Sequence, residues 1–391
     1  MTHFPINKFK ELRTPFYYYD MSLLQATVAS AKSAISERPN YHIHYAVKAN
    51  SNRPILNLMA KNGIGADCVS GGEVQAALDG GIPASQVVFA GVGKADWEIK
   101  LALEANISCF NVESVPELEV INTLAIEAGT EARVAFRINP EVDAHTHAKI
   151  TTGQAENKFG IAIADMLPIF ERASKLSHIK VMGLHFHIGS QILQMSPFEA
   201  LAERVNQLQA QLEAAGHHVK TINVGGGLGI DYLHPQTNPI PDFKSYFDCF
   251  AATLELREGQ ELHCELGRSM VGQAGYMVSS VLYLKKGVNR QFAILDAGFT
   301  ELLRPALYGS VHVAQNLTSP QAPISTVDIV GPICESSDVF EKEAHLPLPQ
   351  RGDLIVFNSA GAYGEIMAST YNCRQLPTAY YSDTIDTVET H

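Results

Sequence analysis

The sequence predicts a two-part α/β protein: a (β/α)8, TIM-like barrel with a second β-sandwich or barrel domain formed by both chain ends. Three observations predict it. From about residue 41 to 267, eight short β-rich runs alternate with helix-like stretches, the pattern of parallel strands joined by crossover helices. After about residue 270, strand-like runs follow one another without convincing helices. The run Phe16-Tyr-Tyr-Tyr-Asp20 is strand-like yet precedes the barrel, so it is placed to pair into the later sheet. The expected division is 26–268 for the barrel, with 1–25 and 269–391 in the β domain.

The barrel strands are expected at 41–47, 65–70, 87–91, 107–113, 133–139, 180–187, 221–226 and 261–266. Eight β/α units in series point to a closed barrel rather than a doubly wound sheet. Between the sixth and seventh strands, Ser196 is a candidate cap, Pro197 suits a first turn, Glu199 completes a capping box and Gly216 stops the helix. Phe198, Leu201, Ala202, Val205, Leu208 and Leu212 recur at helical spacing and give that helix one apolar face. The β domain is expected to use 275–285, 291–296, 324–333, 353–358 and 378–382. There is no internal repeat beyond the β/α alternation and no low-complexity linker.

A chain of 391 residues suggests about two domains. With 46% apolar and 18% charged residues it can build a large core, which excludes disorder. A formal charge of -12 argues against nucleic acid or an anionic membrane surface as partner. No run reaches the roughly 18 apolar residues of a membrane span, and the start, Met1-Thr-His-Phe-Pro-Ile-Asn-Lys8, lacks a signal peptide's apolar segment. The six cysteines form no CxxC pair and no metal-like spacing. A reduced, cytoplasmic protein without a metal is expected.

If the barrel is right, chemistry belongs at the carboxyl ends of its strands. Lys48 follows the first strand and is either a solvated strand tip or a nucleophilic amine. Asp67, in the second, either caps the turn before Ser70 or charge-pairs the lysine. His185 and His187 alternate on one face of the sixth, and His187, nearest its end, can lie flat against an aromatic ring; Ser190 adds a hydroxyl. Gly225, Gly226 and Gly227 leave the seventh, where barrels commonly hold phosphate; the spacing is not GxGxxG, since the third glycine would fall on Ile230. Glu265 ends the eighth, and a buried carboxylate there needs a cationic partner. Lysine, phosphate cradle, stacking ring and acid together describe a site for pyridoxal 5′-phosphate, with Lys48 as the amine that meets its aldehyde. A second group follows in the β domain: Arg304 and Tyr308, then Cys334 and Glu335, then Tyr363 and Tyr371. Arg304 is a fork for a carboxylate or a surface ion-pair partner, and Cys334 is a proton donor or inert packing.

Ordered motifs run almost end to end: YAVKAN (45–50), GADCVSGGEV (65–74), RINPEVDAHTH (137–147), ENKFGI (156–161), HIGSQI (187–192), GGGLGIDY (225–232), ELGR (265–268), DAGFTELLRPALY (296–308), GPICESSD (331–338) and GAYGEIMASTYN (361–372). In these the chain resembles the fold-type III pyridoxal-phosphate decarboxylases. The resemblance implies that Lys48 holds the cofactor, that His187 stacks on its ring and that Glu265 contacts its nitrogen. It implies phosphate-site or neighbouring roles for Gly225, Gly226, Gly227, Ser190, Gly267, Arg268 and Tyr363. It implies substrate contacts from Arg268, Arg304, Tyr308, Glu335, Tyr363 and Tyr371. Cys334 and Glu335 come from the second subunit in similar enzymes, which implies a homodimer with shared active sites. His145, His147 and Lys149 match a segment that tends to cover the site, with no chemical role assigned. The Cys-Glu-Ser form at 334–336 resembles the group acting on meso-2,6-diaminopimelate, which releases CO2 and L-lysine. Relatives acting on ornithine, arginine or carboxynorspermidine are the close alternative, and a silent regulatory homologue a remote one. Leu266 stands where the family usually has proline, and Phe89–Lys94 replaces a more polar version; neither removes a functional side chain.

Overall fold

The computed structural model describes residues 4–142 and 158–388. Two compact units draw their described residues from the spans Met1–Thr27, Ile230–Pro241 and Arg268–His391 in one case, and Val28–Gly229 and Asp242–Gly267 in the other. The chain lays down β1 (Phe16–Tyr19) of the first unit, then all the strands of the second. Those are β2 (Tyr41–Ala46), β3 (Gly65–Cys68), β4 (Val87–Phe89), β5 (Cys109–Val112), β6 (Ala132–Arg137), β7 (Ile179–His185), β8 (Thr221–Asn223) and β9 (Glu261–Leu266). They close into a barrel in chain order. The last strand seals against the first in parallel, with His42 beside His263 and His44 beside Glu265.

Parallel neighbours need a crossover long enough for a helix, and the local sequence supplies one. In Val115–Ala128, the Ser114 hydroxyl accepts from the Glu117 N–H, a proline lies in the first turn, and Gly129 ends the helix at φ 63°. Close strand approach is set by small residues: a Cβ on Gly183 would lie 2.0 Å from the Thr221 carbonyl oxygen across β7 and β8. The helix expected from Ser196 does run Ser196–Ala214 with Phe198, Leu201, Ala202, Val205, Leu208 and Leu212 buried. Its cap differs. Met195 is the N-cap and makes no side-chain cap bond, so Ser196 sits inside the first turn and no capping box forms. The Met195 carbonyl already accepts from the Phe198 and Glu199 amides, which draws the helix start one residue forward.

The other unit adds β10 (Gly275–Lys286), β11 (Gln291–Leu295), β12 (Ala314–Asn316), β13 (Ile324–Val330), β14 (Val339–Pro347), β15 (Leu354–Phe357) and β16 (Thr378–Tyr381). The sheet runs β12-β15-β10-β11-β13-β14, and β1 pairs with both β10 and β16. Phe16 faces Val278 in antiparallel register and Thr378 in parallel register, so the early aromatic strand joins the late sheet. Its core gathers Phe9, Phe16, Tyr18, Tyr276, Val278, Leu354, Val356 and Ile385, with the rings of Phe9 and Phe16 edge-on at 5.2 Å. Two strands were not expected. Residues 314–316 are too few to carry a pattern, and β14 reads as charged because only Phe340, Ala344 and Leu346 turn inward. Glu343 at φ 53° also breaks its alternation.

Candidate active site

In the barrel unit, Lys48 lies in the single 3-10 turn Val47–Ala49 that leaves β2. The register setting Ala46 beside Asp67 brings the Lys48 Nζ to within 3.3 Å of Asp67 Oδ2. Asp67 is fully buried, and its Oδ1 has no hydrogen-bond partner among the described residues. Burial pushes its carboxyl up, the charge of Glu265 adds to this, and Lys48 pulls back.

Glu265, at the end of β9, is held from three other strands. Its Oε1 accepts from Asn111 Nδ2 at 3.1 Å and from Asn223 Nδ2 at 2.7 Å. Its Oε2 lies 3.0 Å from His185 Nε2. Burial acts to raise this carboxyl, but the contact with His185 and the charge of Lys48 outweigh it and hold the group well below the usual range. Glu265 is therefore an anion among fixed donors. That suits it to a cationic ring nitrogen.

β7 ends at His185, so His187 lies two residues past the strand rather than at its tip. It is half-buried, and its Nδ1 accepts from the Gly226 N–H at 3.3 Å. Burial, then Arg137 and Lys48, pushes its imidazole well below the ordinary value, leaving a neutral flat ring. The Gly225 N–H donates to Asn223 Oδ1 at 2.9 Å. Two of the three glycine amides are thus taken up by Asn223 and His187, and no bond from the Gly227 N–H is found among the described residues. The glycines are required by shape: a Cβ on Gly226 would lie 1.9 Å from the Glu265 carbonyl oxygen, and Gly225 and Gly227 sit at φ 68° and 120°. A half-buried Ser190 and a buried Gly267 complete the set. An anionic acid, a neutral ring, an amine and a glycine loop with a spare amide fit pyridoxal 5′-phosphate.

In the β unit, Arg268 Nη1 donates to the Tyr232 hydroxyl at 2.7 Å, and its guanidinium carbon stands 5.0 Å from the Tyr363 ring. Arg304 stands 5.7, 5.6 and 5.9 Å from the rings of Tyr232, Tyr308 and Tyr363. Tyr363 holds φ 55°, a strained conformation for an aromatic residue. Arg304 is buried; Nη2 donates to Ser310 Oγ at 3.1 Å, Nε has no partner, and no ion pair reaches it among the described residues. Burial lowers its affinity for its proton, and Arg268 adds to this. A buried guanidinium in this state is suited to an incoming carboxylate. Elsewhere in the unit, the Tyr371 hydroxyl donates to Glu335 Oε1 at 2.9 Å, and the Cys334 N–H donates to Asn372 Oδ1 at 3.3 Å. Cys334 and Glu335 are exposed.

The structure therefore gathers Lys48, Asp67, His187, Gly225, Gly226, Gly227 and Glu265 in one unit, and Arg268, Arg304, Tyr308 and Tyr363 in the other. His145, His147 and Lys149 lie outside the described residues. Sequence reasoning missed Asn111, Asn223, the His185 contact and Tyr232. The available signal was an amide side chain in the middle of an apolar strand, as at Asn111 and Asn223.

Residues 23–272 match the family of pyridoxal-dependent decarboxylases, pyridoxal binding domain. The chain is 59% identical to a diaminopimelate decarboxylase of Bacteroides thetaiotaomicron over 97% of this chain and 98% of that protein. It is 43% identical to a diaminopimelate decarboxylase of Helicobacter pylori over 94% of this chain and 89% of that one. The crystal structure of diaminopimelate decarboxylase from Helicobacter pylori complexed with L-lysine superposes with a TM-score of 0.90 at 41% identity, covering 96% of this chain and 93% of that chain.

Proposed function

The chain belongs to the pyridoxal-dependent decarboxylase family, and on that premise we propose how its own residues serve the reaction. It is a carboxy-lyase that converts meso-2,6-diaminopimelate into L-lysine and CO2, the last step of lysine biosynthesis, with pyridoxal 5′-phosphate as cofactor. The observation that carries the reading is the Glu265 carboxylate, kept anionic by Asn111, Asn223 and His185 in the same barrel as the Lys48–Asp67 pair.

When bound, the cofactor supplies an aldehyde for an amino group and a ring that accepts the electron pair left by departing CO2. Lys48 is the amine that anchors it, and Asp67 holds that amine in place. Glu265 keeps a proton on the ring nitrogen, and His187 offers its neutral face to the ring. Ser190, Gly225, Gly226, Gly227, Gly267, Arg268 and Tyr363 are assigned to the phosphate and its surroundings by resemblance, with the Gly227 amide as the donor the loop leaves over. Arg304 takes the carboxylate that stays on the product, flanked by Tyr308. Arg268, Glu335, Tyr363 and Tyr371 are further substrate contacts. Cys334 Sγ returns a proton to the carbon that lost CO2.

The exposure of Cys334 and Glu335 supports their use by a second copy, hence a homodimer with shared sites. No described helix is long and apolar enough to cross a membrane, and a cytoplasmic location is part of the proposal. The test is CO2 release from cofactor-loaded protein given meso-diaminopimelate, L-ornithine, L-arginine or carboxynorspermidine. Release with meso-diaminopimelate alone, with L-lysine formed, is expected; release with a polyamine precursor overturns the role given to Arg304.

A further inference from the structure

The seam that closes the barrel carries a second constellation, at the amino ends of β2 and β9 and away from their catalytic carboxyl ends. The two-residue period of a strand puts Glu261 and His263 on one face of β9. The register sets His42 of β2 directly beside His263, with their rings 4.9 Å apart. One ring nitrogen from each histidine and one Glu261 oxygen all lie within 4.8 Å of one another.

Hydrogen-bond direction shows what His263 offers this cluster. The Gln86 carbonyl can only accept, so His44 Nδ1, at 3.2 Å, is its donor. Burial favours one proton per ring, which leaves His44 Nε2 as an acceptor for His263 Nδ1 at 2.8 Å. The His263 proton is thereby committed to Nδ1. Its Nε2 carries a lone pair, is buried and has no hydrogen-bond partner among the described residues. Yet it faces Glu261 Oε2 at 3.5 Å. Two lone pairs so opposed call for a cation between them. Lys220 is the nearest competitor, but it pairs with the other oxygen, Oε1, at 3.3 Å. The relay is shaped for His44: a Cβ on Gly65 would lie 2.6 Å from His44 Nδ1 and 2.5 Å from the Gln86 oxygen.

We propose that His42, Glu261 and His263 form a binding site for a divalent transition-metal ion of the zinc class, which clasps the first barrel strand to the last. Two histidines and a carboxylate are an ordinary zinc ligand set, with a fourth position for water. Bonds of about 2.0–2.2 Å at tetrahedral angles put ligand atoms roughly 3.3 Å apart, close to the His263–Glu261 separation. The His44–Gln86 relay acts as the outer partner that orients a ligating histidine. An ion bound in this register and not in the unfolded chain stabilises the closed barrel by mass action.

The test is titration of cofactor-loaded, chelator-treated enzyme with Co2+, followed by its visible absorption, alongside thermal melts with Zn2+. One equivalent with a tetrahedral-type spectrum and a raised melting midpoint is expected. His42→Gln and Glu261→Gln touch only partly exposed positions, so the barrel should still fold. Each is expected to weaken Co2+ at least about ten-fold while CO2 release is unchanged. Lys220→Ala, removing the competing cation, is expected to tighten it. Failure of the native enzyme to bind Co2+, or binding that survives both glutamine substitutions, overturns the site.

Discussion

Arg304→Met separates binding from stability, because the two are expected to respond differently. In the folded chain the Arg304 charge is buried and has no ion pair among the described residues. Holding a charge there costs several kcal/mol of lost hydration. Against this stand three rings at 5.6–5.9 Å, together worth about 2 kcal/mol. The bond to Ser310 Oγ adds roughly 1.5–3 kcal/mol. The opposing sums nearly cancel, and methionine restores part of the packing, so the unfolding free energy should change by less than about 2 kcal/mol. Substrate binding has no such compensation. A carboxylate held by a buried guanidinium loses about 3–4 kcal/mol when that guanidinium goes, which is a fall of about 10²–10³-fold in kcat/KM. The assay pairs urea denaturation with initial rates of CO2 release from meso-diaminopimelate. A kcat/KM within about three-fold of the native value refutes the carboxylate role. A stability loss above about 3 kcal/mol refutes the claim that the charge is held ready rather than used in folding.

Lys94, half-buried as a residue but with its side chain only 1% exposed, meets Glu117 Oε1 at 2.5 Å and the carbonyls of Gly91 and Asn111 at 2.7 and 2.9 Å. Lys94→Met leaves that carboxylate buried and unpaired, so a loss of about 3 kcal/mol is expected in urea denaturation; a change within about 0.5 kcal/mol contradicts it. His312 donates from Nδ1 to the Asn358 carbonyl at 3.0 Å, and burial, then Arg304, pushes its imidazole down to about 3. Above about pH 6.5 both states are neutral, whereas below it only the unfolded chain gains the proton. Stability is thus lost as pH falls from about 6.5 toward 3, by up to about 1.4 kcal/mol per unit, and His312→Gln should flatten that slope between pH 6.5 and 5. An unchanged slope removes His312 as its source. Asn223→Ala deletes the 2.7 Å donor to Glu265 and is expected to weaken cofactor retention about ten-fold by absorbance titration; retention equal to the native protein rejects the positioning role.

The sequence by itself determined what depends on neighbours along the chain. Short β-rich runs separated by helix-like stretches set all eight barrel strands, because parallel neighbours need a crossover long enough for a helix between them. Lys48 and Glu265 were legible at strand ends because a charge closing an apolar run is conspicuous, and the glycines at 225–227 because only glycine accepts φ 68° or 120° readily. Strand β14 escaped because solvent on one face and a bulge at Glu343 erase the alternation. Only the tertiary structure decided that Asn111, His185 and Asn223, on three different strands, converge on one carboxylate, or that His42 meets His263. Such meetings depend on register and stagger around a closed barrel. One residue of slip would turn each of these side chains to the other face, and nothing within a single strand records which slip the closed ring has chosen.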